Sequence, residues 1–128
     1  MRQNYASLLL LSAALISAAC GNFTAPDAKR VAGQYAISTV NGKPLPFTLA
    51  DSSQLAASVL KLSETGGYEE TMYFYGKSSL TFHGRFAVSA SQIVVEMSNG
   101  QGFTLDIANF NTLIENDDNM GIVVYVRR

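Results

Sequence analysis

From Val31 to the carboxyl terminus the chain alternates apolar and polar residues with period two, in short runs separated by Gly, Asn, Asp and Pro. Alternation of this kind marks half-buried β-strands, and no stretch there keeps the spacing of an amphipathic helix. Eight strands are predicted. The first, Ala32–Val40, is closed by Asn41-Gly42, and a longer connection, Asn41–Gln54, carries Pro44 and Pro46 and is expected to fold over one end. Ala57–Ser63 and Tyr68–Tyr75 follow, joined by Gly66-Gly67. Leu80–Val88 is the clearest strand, with Leu80, Phe82, Gly84, Phe86 and Val88 on one face and Thr81, His83, Arg85 and Ala87 on the other. Gln92–Met97 and Phe103–Ala108 repeat the pattern, Thr112–Glu115 does so weakly, and Ile122–Arg127 is apolar on both faces.

Strands joined by such short turns are antiparallel neighbours. Eight in an up-and-down meander leave two exposed edges unless the sheet closes, and closure removes both. The expected fold is therefore all-β, an eight-stranded antiparallel up-and-down barrel over residues 31–128, with an open or partly closed sheet or sandwich as the alternative. A barrel of this size holds either packed side chains or one small ligand. It is not expected to sit in a bilayer, because Lys61, His83, Arg85, Glu96 and Asp106 fall at outward positions. A mid-membrane Lys or Arg costs about 2–4 kcal/mol.

The first residues read differently. Arg2, an apolar run from Tyr5 to Ile16 and the small residues Ser17-Ala18-Ala19 form an export signal over residues 1–19. Ser17-Ala18-Ala19-Cys20 resembles the lipobox of bacterial lipoproteins, in which a diacylglycerol is joined to the cysteine. Ordinary signal cleavage would also cut before Cys20. The cysteine count favours the lipid: Cys20 is the only cysteine, so it has no intrachain disulfide partner. Residues 20–30 would then be a lipidated amino terminus and polar tether, and by resemblance Gly21 after the cysteine implies the outer membrane, facing the periplasm. The expected localisation is the bacterial cell envelope.

Charge adds exclusions. The chain has 9 Lys and Arg against 10 Asp and Glu, a formal charge of −1 with no basic patch, so nucleic acid is not an expected partner. Seven Phe and six Tyr supply a core without any Trp. The single His83 has no metal-ligating companion, and Asn116-Asp117-Asp118-Asn119 beside Glu115 lacks the spacing of a calcium loop and reads as a hairpin turn. No acid–base or nucleophile constellation can be assembled, so neither catalysis nor a cofactor or metal is expected.

On the third strand Tyr68, Glu70, Met72 and Phe74 are expected inside and Tyr73 and Tyr75 outside, because Met72 and Phe74 are the more apolar pair. Glu70 then falls near the barrel mouth, where it meets solvent or a basic partner, or holds a polar ligand group. The interior residues expected to contact a guest are Tyr35, Leu60, Leu62, Tyr68, Glu70, Met72, Phe74, Phe82, Phe86 and Phe103.

Gly33-Gln34-Tyr35, Val40-Asn41-Gly42-Lys43-Pro44-Leu45-Pro46, the meander and the final Val124-Tyr125-Val126-Arg127-Arg128 together resemble small bacterial lipocalin-like lipoproteins. Lipocalins carry Gly-x-Trp on the first strand and a basic residue on the last that packs over the Trp. The resemblance puts Tyr35 in the Trp position and Arg127 over it. The Asn-Gly-Lys-Pro stretch is also similar to META-type envelope domains. The function so implied is a monomeric, envelope-anchored lipoprotein that binds a small apolar or amphiphilic molecule inside its barrel. The alternative is a non-catalytic envelope interaction or structural protein with a solid core, using the outward Tyr73 and Tyr75.

Overall fold

A computed structural model describes residues 24–128. One helix, α1 (Thr24–Val31), precedes nine strands: β1 (Gly33–Val40), β2 (Phe47–Thr48), β3 (Gln54–Leu62), β4 (Gly67–Phe74), β5 (Leu80–Ser89), β6 (Gln92–Met97), β7 (Gly102–Asn109), β8 (Thr112–Asp117) and β9 (Gly121–Arg127). Every neighbouring pair is antiparallel, and β1 closes the sheet by pairing with β9 on one side and β3 on the other. Tyr35 stands opposite Arg127 in one ladder and opposite Leu60 in the other. The expected eight-stranded barrel is thus closed, and the two-residue β2 is an appendage on β3. The inward faces follow the predicted alternation, and Lys61, His83, Arg85, Glu96 and Asp106 are exposed. No helix among the described residues is long and apolar enough to cross a membrane.

The chain direction defines two ends. The β3–β4, β5–β6 and β7–β8 turns lie at the end where β1 begins, and α1 closes that end. Residues 20–30 are expected as a polar tether, yet the chain is helical from Thr24, and Ala28 and Val31 are buried in the core. The polar composition of the segment hides this, because two small apolar side chains are enough to seat so short a helix. Below the middle of the barrel the interior is packed solid by Val31, Tyr35, Leu60, Leu62, Phe86 and Ile93.

Arg127 fastens the closed end. Its guanidinium lies 4.9 Å from the centre of the Tyr35 ring, so the expected cation–π contact is formed. Nη1 donates to the Ala32 carbonyl at 2.6 Å, Nη2 to the Arg30 carbonyl at 3.0 Å, and both Nε and Nη2 donate to the Phe110 carbonyl. One planar fork therefore joins the end of α1, the start of β1 and the β7–β8 turn. Gly33 makes room for it: at φ +142 it holds a backbone that L side chains rarely adopt, and a Cβ there would collide with Nη1. Tyr35 completes the lock by donating its hydroxyl to the Val31 carbonyl at 2.7 Å. Replacing Arg127 by Ala should lower unfolding stability by about 2–3 kcal/mol, since hydrogen bonds to charged groups contribute about 1.5–3 kcal/mol net. Arg127→Lys should recover little of it, because a point charge cannot span carbonyls on three elements. Urea denaturation of the two variants checks this, and an Arg127→Lys protein as stable as the wild type would refute it.

At the other end Asn41 and Gly42, both at positive φ, form the tight turn predicted after β1. Asn41 also donates through Nδ2 to the Met120 carbonyl and accepts from the Ile122 amide, tying this turn to the β8–β9 turn. The connection then runs back along β3 and sends Leu49 over the barrel mouth.

Candidate functional site

The upper half of the barrel is hollow. A cavity of about 270 Å³ opens at this end, walled by Leu55, Met72, Phe74, Phe82, Met97 and Phe103, with Leu49 and Met120 from the covering turns. This is close to the lower limit of pockets that enclose small ligands. The walls are apolar because the strands alternate: the inward positions that line the cavity near the mouth are Met72 and Phe74 on β4, Phe82 on β5 and Phe103 on β7. Tyr68 packs edge-on against Phe103, with ring centres 5.6 Å apart at 74°.

The deep end is polar. Glu70 is 4% exposed and accepts three hydroxyl hydrogen bonds, each 2.8 Å long, from Tyr68, Ser58 and Tyr125. Three elements build this ring. Tyr68 lies two residues before Glu70 on the same face of β4, Ser58 is its diagonal neighbour on β3, and Tyr125 reaches across the lumen from β9. Acceptor-only chemistry at Glu70 is what three converging O–H donors require.

Glu115, on β8, lies beside this ring and is 8% exposed. Its Oε1 is 3.3 Å from the Tyr125 hydroxyl, whose own hydrogen is committed to Glu70 at 2.8 Å. A phenol has one hydrogen, so the Tyr125 hydroxyl gives its short bond to Glu70 and makes only the longer approach to Glu115. Burial pushes the Glu115 carboxyl up to about 9, and the nearby charges of Glu70 and Asp117 push the same way. The Tyr68 and Tyr125 hydroxyls are driven far above the ordinary phenol range, first by burial and then by Glu70. Both therefore act only as neutral donors.

Six of the ten residues expected to touch a guest line the cavity: Tyr68, Glu70, Met72, Phe74, Phe82 and Phe103. The other four do not reach it. Tyr35, Leu60, Leu62 and Phe86 are buried in the solid half, because their strand positions lie toward α1. Glu70 is also corrected in place and partner. The sequence reading puts it near the mouth, meeting solvent or a basic partner or holding a polar ligand group. However, the Gly66-Gly67 turn belongs to the closed end, so Glu70 sits deep and its partners are hydroxyls. Cys20 lies outside the described residues. Tyr73 and Tyr75 are exposed as expected, and so is His83, which stands 3.6 Å from Glu69 on the outer wall.

Sequence reasoning misses Glu115, Tyr125 and Ser58. Leu113 and Glu115 alternate inward, but Ile114 between them makes the parity of β8 ambiguous. Tyr125 is hidden in a strand apolar on both faces, where only its parity with Val123 and Arg127 marks it as internal. The closed barrel and its half-polar cavity are compatible with ligand binding. No family model matches the chain, and no curated protein matches its sequence.

Proposed function

We propose that this protein is a non-catalytic, envelope-anchored lipoprotein that holds one small amphiphilic molecule in the open half of its barrel. The observation that carries the reading is the cavity of about 270 Å³ whose walls are apolar and whose polar lining includes Glu70, Glu115 and Tyr68. Apolar walls supply affinity and a few converging polar groups fix orientation, which is how small-molecule sites are built. Leu49 and Met120 narrow the mouth, so a guest would be shielded on most sides. The anchor is read from Cys20 and the export signal before it.

The test is thermal melting with a panel of fatty acids, aliphatic alcohols, amines and small aromatic probes. A ligand in hundredfold excess over its dissociation constant should raise stability by about 2.7 kcal/mol. Phe82→Ala should shift the preference toward bulkier guests. A panel that moves nothing sinks the binding reading, and the envelope interaction role, with Tyr73 and Tyr75 as exposed anchors, takes its place. Lipidation is checked separately. Mass spectrometry of the mature protein should find an acylated Cys20, and Cys20→Ser should release a folded domain from the membrane; an unmodified Cys20 ends the anchor.

A further inference from the structure

The cavity is one-sided in charge. Glu70, Glu115, Asp117 and Asp118 line it, and no Lys, Arg or His does. A buried carboxyl normally finds a basic partner or a full set of donors. Glu70 has three close donors, whereas Glu115 has only the longer approach of the Tyr125 hydroxyl and a carboxyl–carboxyl hydrogen bond with Asp117. Glu115 and Asp117 both line the cavity, and Glu115 is 8% exposed. A largely buried carboxyl pair thus borders a space walled by apolar side chains.

We propose that the guest is an organic cation, an ammonium group seated against Glu115 and Glu70 with an aromatic or hydrocarbon body among Phe74, Phe82 and Phe103. This rests on the binding reading above and adds the charge of the ligand. An ammonium brings three donors and a positive charge to these carboxyls, and ring faces attract cations as well as apolar carbon. An anionic guest would meet four carboxyl groups with nothing to offset them. A bare metal ion is a poorer match, because no group of three metal-ligating side chains occurs among the described residues. The seated cation would also reverse the surroundings that keep Glu115 protonated. Its carboxyl O–H then breaks, the proton leaves to solvent, and the carboxylate stays paired with the ammonium.

Calorimetric titration of the protein at neutral pH with 4-phenylbutylamine, 4-phenylbutan-1-ol and 4-phenylbutanoate tests this. The amine should bind about ten- to hundredfold more tightly than the alcohol, the gain expected for a charge-assisted hydrogen bond. The butanoate should bind more weakly than either. The heat of amine binding should vary with the ionisation enthalpy of the buffer, reporting proton release, and that of the alcohol should not. Glu115→Gln copies the neutral carboxyl in shape. It should retain alcohol binding while losing both the amine preference and the proton release. If the alcohol or the butanoate binds as well as the amine, the cation assignment is overturned and the container reading stands. If the amine preference survives Glu115→Gln, the ammonium does not sit at Glu115 and the assignment also falls. If none of the three binds, the container reading loses its support along with it.

Discussion

Glu70→Ala should lower the unfolding free energy by about 3–5 kcal/mol, the largest loss expected from a single substitution in the cavity. The carboxyl is the common acceptor of Ser58, Tyr68 and Tyr125. Removing it strands hydroxyls that are buried, each at a cost of about 1–3 kcal/mol. Tyr125 keeps a contact with Glu115, so the full penalty falls on Ser58 and Tyr68. Ser58→Ala alone should cost about 1 kcal/mol, since Glu70 retains two donors. In the Glu70→Ala background the same change should cost almost nothing, because its acceptor has already gone. Urea unfolding of the four proteins in this cycle measures the coupling directly. A Glu70→Ala protein within about 1 kcal/mol of wild type would mean that the hydroxyls are satisfied without the carboxyl.

Stability alone does not account for such a ring. Residues of similar volume and no charge, packed as they are around Leu60 and Phe86, would fill the same space without a desolvation penalty. The lower half of this barrel does that, and the upper half does not. The contrast runs across one ladder: β4 carries Tyr68 and Glu70 where β3 sets Leu62 and Leu60 opposite them. On the binding reading proposed above, a polar floor beneath an apolar shaft would orient a guest.

Much of this is readable from the chain. Period-two alternation in β5, β6 and β7 is strong enough to assign both faces, and short turns leave antiparallel neighbours as the only arrangement. Closure follows from the cost of free edges, and the Arg127–Tyr35 contact is what the resemblance to lipocalin-like proteins implies. What stays hidden depends on long-range geometry. Which end of the barrel is closed is decided by α1, whose polar sequence gives little sign that Ala28 and Val31 are buried. Without that end, strand parity places Tyr35, Leu60, Leu62 and Phe86 inside but cannot divide them from the cavity wall. Glu115 looks like part of an acidic turn, because its neighbours Asn116 and Asp117 belong to one. Only the register of β8 against β9, Leu113 beside Tyr125 and Glu115 beside Val123, brings it to the lumen.

The second large effect is on pH. Glu115 is pushed from 4.5 to about 9 in the folded protein, first by burial and then by Glu70 across the lumen and Asp117 on its own strand. Between those values the native state holds a proton that the unfolded chain has lost. Stability therefore falls as pH rises through this window, by at most about 1.4 kcal/mol per pH unit, and it levels off once the native carboxyl ionises. From about pH 5 to pH 8 the wild type should lose up to about 4 kcal/mol, less to the extent that water entering the cavity solvates the carboxylate. Glu115→Gln cannot ionise and mimics the protonated form. The variant should match the wild type near about pH 5 and exceed it at about pH 8, and subtracting its unfolding profile cancels every titration the two proteins share. The difference should be a slope confined to the window between the two values, shrinking when a cation fills the cavity. Parallel profiles for the two proteins would show that Glu115 is not held neutral in the fold, and would remove the proton release expected on amine binding.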